Sequence, residues 1–290
     1  MRLSACITTR NRVHELENCL AALWSCDVKP HSVIVSDDSS DLEIQNSNHA
    51  LVDRYPGTVY VKGPQIGVCG NRNNAVNAVQ DSEYVAFVDD DICVPPNFIR
   101  TALAYYDRLS PDQKFKTVLS GVSYNQHGEE MLSTKLTFRG YFQLSDVPEN
   151  VVIHAAVFPR SFFLTEQWDE RIFFGYEDAE LCLRVKKIGY EIVYCPDLRV
   201  FHGSSGEGTL LTPKVGKLTD YDLYIEAARL YIGVKRYKSI FPNPLKLVLF
   251  VGVYFFHMGI YLLRKNAISA LPMILERSNW NYAWNQRGVP

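Results

Sequence analysis

The sequence predicts an α/β fold: a doubly wound, mostly parallel, Rossmann-like sheet with a helical C-terminal extension. Three observations carry this expectation. Short β-prone runs alternate with helix-periodic segments through the first 110 residues, the βαβα order that builds a parallel sheet. The run Tyr84–Val88 is apolar throughout, as a strand covered on both faces requires, and leads straight into Asp89-Asp90-Asp91. Residues 221–290 carry nine Lys/Arg against three Asp/Glu, about +6, in a chain of net charge −2, so the tail differs in kind from the head.

Element by element, Leu3–Thr8 is a short strand, and residues 12–24 place Val13, Leu16, Leu20 and Leu23 on one helical face. Ser32–Ser36 is a second strand, ending in Asp37-Asp38-Ser39-Ser40, and a helix covers about 42–54. Thr58–Lys62 is a third strand, Gly67–Val79 a helix after a glycine-bearing loop, and Tyr84–Val88 the fourth strand. Pro95-Pro96 opens the next helix, since proline suits a first turn. Beyond residue 110 the runs 117–123, 135–142 and 151–158 read as strands, Glu177–Ile188 as a helix, and Glu191–Cys195 and Leu198–His202 as two short strands. Ser204–Gly208 reads as a lid loop. Residues 220–278 read as helical. The division expected is 1–110 and 111–212 as halves of one domain, with 213–290 as the extension.

Within that extension Leu247–Leu263 is apolar over 17 residues, broken only by His257 and the tyrosine hydroxyls. Lys235, Arg236, Lys238 and Lys246 precede it, Arg264 and Lys265 follow, and no Asp or Glu falls between Glu226 and Glu276. This pattern predicts in-plane attachment to an anionic membrane surface through residues about 235–265. A true span or an oligomerising helix would use the same segment. The overall charge gives no case for nucleic acid. Seven cysteines without a CxxC suggest buried free thiols in a reducing compartment. Arg10 and Arg12 come too early for a signal-peptide core. The expectation is a cytoplasmic protein, peripheral to the inner face of the cell membrane.

Polar clusters fall where strands should end: Thr8-Thr9-Arg10-Asn11, Asp37-Asp38-Ser39-Ser40, Gly70-Asn71-Arg72-Asn73-Asn74 and Asp89-Asp90-Asp91. In a doubly wound sheet these ends lie side by side, where ligands bind. Three adjacent carboxylates repel unless a cation neutralises them, and hard cations prefer oxygen. Arg72 suits a phosphate or a base edge. A metal-held nucleoside diphosphate fits this inventory, against the plainer reading of solvated acidic turns. No GxGxxG or P-loop pattern is present. Glu177-Asp178 begins a helix among aromatic residues, either as a cap or as a general base whose pKa burial would raise. His202 closes a strand beside the glycine-rich loop, where it is either structural or a ligand to metal or pyrophosphate.

Taken in order, Ala5–Arg12 (ACITTRNR), Val33–Ser40 (VIVSDDSS), Gly67–Ala75 (GVCGNRNNA), Tyr84–Pro95 (YVAFVDDDICVP), Phe174–Arg184 (FGYEDAELCLR) and Val200-Phe201-His202 resemble family 2 inverting glycosyltransferases of the GT-A fold, closest to a bacterial rhamnosyltransferase-like branch. The likeness covers about residues 3–205. It implies that Thr8 and Arg10 line the nucleotide pocket, that Asp38 or Asp37 bonds the base, and that Arg72 contacts base or phosphate. Asp89-Asp90-Asp91 is similar to the DXD element, with Asp89 and Asp90 toward the ribose and sugar of the donor and Asp91, together with Asp89, on Mg2+ or Mn2+. Glu177-Asp178 is similar to the element that supplies the base, Asp178 being favoured, and His202 to a histidine that assists the metal. The implied donor is a UDP- or dTDP-linked sugar, and the implied acceptor a saccharide or lipid-linked saccharide. The QxxRW motif of processive synthases is absent, since Asn285-Gln286-Arg287-Gly288 does not match it. A nucleotidyltransferase, or an inactive nucleotide-sugar-binding or scaffold protein, is the alternative.

Overall fold

The computed structural model describes residues 1–203 and 211–285. The Ser204–Gly208 segment read as a lid lies outside the described residues. The N-terminal alternation is realised as β1 (Leu3–Thr9), α1 (Val13–Ser25), β2 (Val33–Asp37), α2 (Leu42–Val52), β3 (Thr58–Lys62), α3 (Val68–Asn77) and β4 (Tyr84–Asp89). The four strands are parallel neighbours in the order β3-β2-β1-β4. Their register sets Thr8 beside Asp89, Thr9 beside Asp37 and Asp37 beside Lys62, so the polar clusters share one edge of the sheet. Alternation of side chains splits the core. Ala5, Ile7, Val33, Val35, Ala86 and Val88 face the apolar side of α1, whereas Cys6, Ile34, Val85 and Phe87 face α3 and the C-terminal helices.

The second half is more mixed than expected. After β5 (Ile92–Cys93), α4 (Phe98–Asp107) and the single turn α5 (Pro111–Lys114) comes β6 (Thr117–Tyr124). Helix α4 starts at Phe98, two residues beyond the proline pair, with Asn97 at the N-cap position making no side-chain cap bond. The 135–142 run is not one strand. After the short β7 (Glu130–Met131), it folds into a hairpin of β8 (Thr134–Leu136) and β9 (Phe142–Leu144), turning at Gly140 with φ +80. The 151–158 run forms a 3-10 turn, Ile153–Ala155, and then β10 (Ala156–Pro159). β10 enters the sheet antiparallel between β4 and β6. After α6 (Glu177–Lys187), the two short strands expected at 191–202 form one, β11 (Glu191–His202), with an irregular register between Tyr194 and Arg199. β11 lies parallel to β6 and antiparallel to β5.

A small hairpin, β12 (Pro213–Val215) and β13 (Leu218–Thr219), leads to α7 (Asp220–Lys235), α8 (Pro244–Arg264), α9 (Leu271–Arg277) and α10 (Trp280–Asn285). These helices share a core with the sheet, for Leu230, Ile232, Phe250 and Tyr254 belong to the same cluster as Phe87 and Leu181. Ionic contacts bind α7 to α6 as well. Lys235 Nζ lies 2.6 Å from both Asp169 Oδ2 and the fully buried Glu180 Oε1. Arg184 donates to Glu180, one turn earlier on α6, and to Glu166. All seven cysteines are free, and six are buried.

Candidate active site

Each member of the acidic run has a separate fate. Asp90 turns inward, where it is buried; Oδ2 accepts from Thr9 Oγ1 at 2.8 Å and Oδ1 from Arg12 at 3.1 Å. Burial pushes its carboxyl up to about 7, against the pull of Arg12 and Thr9. Its geometry ties the end of β4 to the loop after β1 and takes it away from the cleft, although the sequence reading placed it among the donor-facing residues. Asp91 lies between Arg12 and His202. Arg12 reaches Oδ2 at 2.9 Å and His202 Nε2 stands 3.4 Å from Oδ1. Burial opposes ionisation of Asp91, but His202 and Arg12 outweigh it and hold its pKa below the usual value. The hydrogen bond to Asp91 in turn raises that of His202, against burial. Backbone pairing delivers this contact: His202 sits opposite Ile92 in the β5–β11 pair, and Gly203 N donates to Asp91 O at 2.9 Å. Asp89 keeps a carboxylate about one-third exposed, 31% by area, and so faces the cleft.

On β2 the neighbouring aspartates divide similarly. Asp37 is fully buried, accepting from Ser39 N at 2.8 Å, Asn48 Nδ2 at 2.9 Å and Tyr60 OH at 3.0 Å. With those bonds made, it shapes the loop. Asp38 accepts from Gln65 N at 2.9 Å, and burial raises its pKa against Gln65 and the nearby Arg10. It therefore retains acceptor capacity at the sheet edge beside partly exposed Thr8 and exposed Arg10. A Cβ on Gly63 would stand 2.1 Å from Asp38 Oδ1, so glycine is what admits this carboxylate.

The Gly70–Asn74 cluster is mostly architectural. Asn73 holds the Trp168–Glu170 loop, and Asn74 bridges Ser36 and Lys62. Arg72 is the exception. Its buried guanidinium donates to Asp89 Oδ1 at 3.2 Å and to Glu177 Oε1 at 2.8 Å, and lies 5.0 Å from the Trp168 ring centre. Burial disfavours its charge, but the two carboxylates raise its pKa still further. Arg72 thus joins the acidic strand end to the Glu177-Asp178 pair, 105 residues from Arg72 to Glu177 along the chain.

That pair is aimed by an uncommon backbone. Gly175 and Tyr176 both have positive φ, +85° and +62°, immediately before α6. A Cβ on Gly175 would meet Ile225 Cδ1 at 2.6 Å, so close packing of α7 adds to the demand for glycine. Glu177 is engaged by Arg72. Asp178 is not: Oδ2 accepts from Asn150 Nδ2 at 3.1 Å and Oδ1 from Ala179 N at 2.7 Å. Burial, and next the charge of Glu177, push the Asp178 carboxyl up to about 6. Its raised pKa suits Asp178 to act as a base near neutral pH.

Among the described residues no group of three or more His, Cys, Asp or Glu side chains forms a self-sufficient metal cage. The Asp91–His202 pair, with Asp89 nearby, still fits Mg2+ or Mn2+. Mg2+ typically uses one or two carboxylates and takes its other ligands from water and substrate phosphates. Three site residues were not singled out by sequence reasoning: Arg12, Asn150 and His154. His154 is 7% exposed and interrupts the apolar run 151–158, which was the available signal. Arg12 ends the Ala5–Arg12 motif, where no residue type or spacing separates it from a surface charge.

A parallel sheet continued by mixed strands, with its acidic strand end facing a carboxylate-bearing helix, has the architecture of GT-A glycosyltransferases. The chain belongs to glycosyl transferase family 2, whose model matches residues 4–164. The match ends before Glu177-Asp178. No curated protein matches the chain in sequence. Among solved structures, S. aureus TarS 1-349 in complex with UDP-GlcNAc aligns with a TM-score of 0.64 and 16% identity, over 98% of this chain and 79% of that one. GalNAc-T7 with UDP, GalNAc and Mn2+ gives a TM-score of 0.59 and 12% identity, over 92% and 55%. A further S. aureus TarS 1-349 structure gives 0.57 and 16%, over 81% and 64%, so this chain spans just under two thirds of that one. At these identities the likeness concerns the fold.

Proposed function

We propose that the protein is an inverting, metal-dependent glycosyltransferase that moves a hexose or deoxyhexose from a UDP- or dTDP-linked donor to a saccharide or lipid-linked saccharide acceptor, in cell-surface glycan synthesis. The observation that carries this reading is the Arg72 bridge. It sets a cleft-facing carboxylate, Asp89, and the Glu177-Asp178 pair, whose Asp178 has a raised pKa, on opposite sides of one buried cation. In support, the neighbouring folds hold UDP-GlcNAc in TarS and UDP, GalNAc and Mn2+ in GalNAc-T7. On this reading residues 1–110 hold the donor and 111–212 the acceptor and base.

Asp38 takes the base, with Thr8 and Arg10 along the nucleotide, and Asp89 takes ribose and sugar hydroxyls. Asp91 and His202 are the residues that would hold Mg2+ or Mn2+. When bound, that ion would offset the charge developing on the leaving diphosphate. Asp178 accepts the acceptor hydroxyl proton as that oxygen attacks the anomeric carbon from the face opposite the leaving group, which inverts the centre without a covalent enzyme intermediate. Arg72 holds the Glu177 carboxylate in place, and the Glu177 charge adds to burial in raising the Asp178 pKa. Rhamnose is the donor sugar that branch likeness favours, and UDP-GlcNAc the one the TarS comparison favours.

The same proposal includes membrane attachment. α8 is the one helix among the described residues long and apolar enough to cross a bilayer. One face, Phe250, Tyr254, Met258 and Leu262, is buried against the protein; the other exposes Leu245, Val248, Leu249, Phe256, Ile260 and Leu263. A helix already packed along one side suits lying in the headgroup plane better than spanning. Lys246, Arg264 and Lys265 flank the exposed face. Lys235 and Arg236, counted with them in the sequence reading, have other partners: Lys235 pairs with Asp169 and Glu180, and Arg236 bonds the Thr137 carbonyl. The attachment is to the cytoplasmic leaflet.

A thermal-shift screen of nucleotide sugars with and without Mn2+ tests the donor reading. The true donor raises the melting temperature, and Mn2+ increases the rise. A screen in which no nucleotide sugar shifts the transition counts against it.

A further inference from the structure

His154 occupies the 3-10 turn ahead of β10, which places it beside the cleft-facing member of the acidic run. Its Nδ1 lies 3.8 Å from Asp89 Oδ2, and its ring centre is 5.1 Å from that of His202. Its Nε2 is buried and has no hydrogen-bond partner. A buried Nε2 with no acceptor leaves the ring a single proton to place.

A neutral imidazole carries one proton and must place it on one nitrogen. A proton on Nε2 would bury an orphan N–H and turn a lone pair toward a carboxylate. A proton on Nδ1 instead points a donor at Asp89 and leaves only a lone pair in the dry interior, and orphan N–H groups are the rarer and costlier kind. The other Asp89 oxygen already accepts from Arg72 at 3.2 Å. Asp89 is therefore flanked by a donor at each oxygen, one charged and one neutral. The separation at His154 is about 0.8 Å longer than a formed bond, a gap that a small rotation of Asp89 closes when a ligand settles in the cleft.

We propose that His154 is a positioning residue for the donor site: as the neutral Nδ1–H tautomer it fixes the rotamer of Asp89 toward ribose and sugar, while its ring backs that of His202. The inference rests on the donor role proposed for Asp89. It differs from a packing role in one respect, namely that it requires a donor at the Nδ1 position and none at Nε2.

Amide substitutions separate these positions, because the Asn amide nitrogen can occupy the place of Nδ1 and the Gln amide nitrogen that of Nε2. Titration calorimetry with UDP and with dTDP, each with Mn2+, is expected to show His154→Asn within about threefold of the wild type. His154→Gln and His154→Phe should bind about ten- to a hundredfold more weakly, as loss of a hydrogen bond to a charged group implies. Similar melting temperatures for the Asn and Gln variants exclude a folding effect. Nitrogen-15 NMR of the unliganded protein, assigned by the signal lost in His154→Asn, is expected to show protonated Nδ1 and bare Nε2. A proton on Nε2, or His154→Phe binding as well as the wild type, overturns the inference while the donor reading stands. A wild type that binds neither nucleotide removes the donor reading, and this inference with it.

Discussion

Replacing Asp178 with Asn separates catalysis from stability in a direction that follows from the geometry. The Asp178 carboxyl is raised from 3.8 to about 6 in the folded protein, by burial first and by Glu177 second. A carboxyl whose folded pKa exceeds its unfolded value is easier to keep neutral than to ionise in the native state. Its charge therefore costs nothing below pH 4, and the cost grows as pH rises from about 4 to about 6. Above that it is fully present, about 3 kcal/mol at pH 7. Asn carries no charge and escapes this cost. It keeps one oxygen, however, where the carboxylate accepts from both Asn150 and Ala179, and losing one such bond costs about 1 kcal/mol. The balance is a variant more stable by about 2 kcal/mol at pH 7, a rise of roughly 4 °C in melting temperature. The variant should melt slightly below the wild type at pH 4 and under, where only the lost bond counts, and above it at pH 7. Turnover, measured by release of nucleoside diphosphate in the presence of acceptor, should fall about 100- to 10,000-fold as a general base is lost. Donor binding should persist, and wild-type kcat should decline as pH falls through about 6. Turnover within tenfold of the wild type, or a lowered melting temperature together with lost donor binding, would refute the assignment of Asp178 as the base.

Other perturbations have equally specific outcomes. Asp91→Asn removes one of the two proposed metal donors, so the extra donor-induced thermal shift seen with Mn2+ should disappear and EDTA should no longer change it; retention of a Mn2+-dependent shift would place the ion elsewhere. Arg72→Met strands Asp89 and Glu177 without their shared cation. It should destabilise the fold by about 3–5 kcal/mol in urea unfolding, as removal of one partner from a buried ion pair does. The double substitution Leu249→Glu and Phe256→Glu places charge on the exposed face of α8. It should abolish flotation with anionic phospholipid vesicles while leaving turnover on a soluble acceptor unchanged.

The first four strands and three helices were legible because local patterns decide them: apolar runs of strand length, 3.6-residue periodicity in α1, and strand ends marked by aspartates. The mixed half was less so. Whether β10 runs parallel or antiparallel depends on which strands flank it, and neither β4 nor β6 is near it in sequence. The 135–142 run is β-prone throughout, but Gly140 in a left-handed conformation breaks it into a hairpin. Residues around Pro196 looked like an interruption, yet β11 continues across them by shifting register with β6. At the site, residue types were readable and orientations were not. Only the first member of Asp89-Asp90-Asp91 lies on a strand, β4 ending at Asp89, and the turn that follows sends its neighbours in different directions. Which member turns inward is decided by Thr9 and Arg12, which reach Asp90 from the end of β1 and the loop after it. Asp37 and Asp38 divide for the same reason, with Asn48 and Tyr60 supplying the internal partners. Arg72 reads in sequence as a contact to base or phosphate, and its two carboxylate partners come from elements 17 and 105 residues away. His154 passed unnoticed because an isolated histidine in an apolar run carries no spacing signal.

The central claim is that this carboxylate edge transfers a sugar with inversion, and the anomeric configuration of the product tests it most directly. The protein would be incubated with Mn2+, a saccharide acceptor and the nucleotide sugar that stabilises it, and the new glycosidic linkage followed from its first appearance by proton NMR. The account predicts an anomer opposite to that of the donor, formed in step with nucleoside diphosphate. A product that retains the donor configuration, or pyrophosphate released from a nucleoside triphosphate and sugar phosphate, would contradict it.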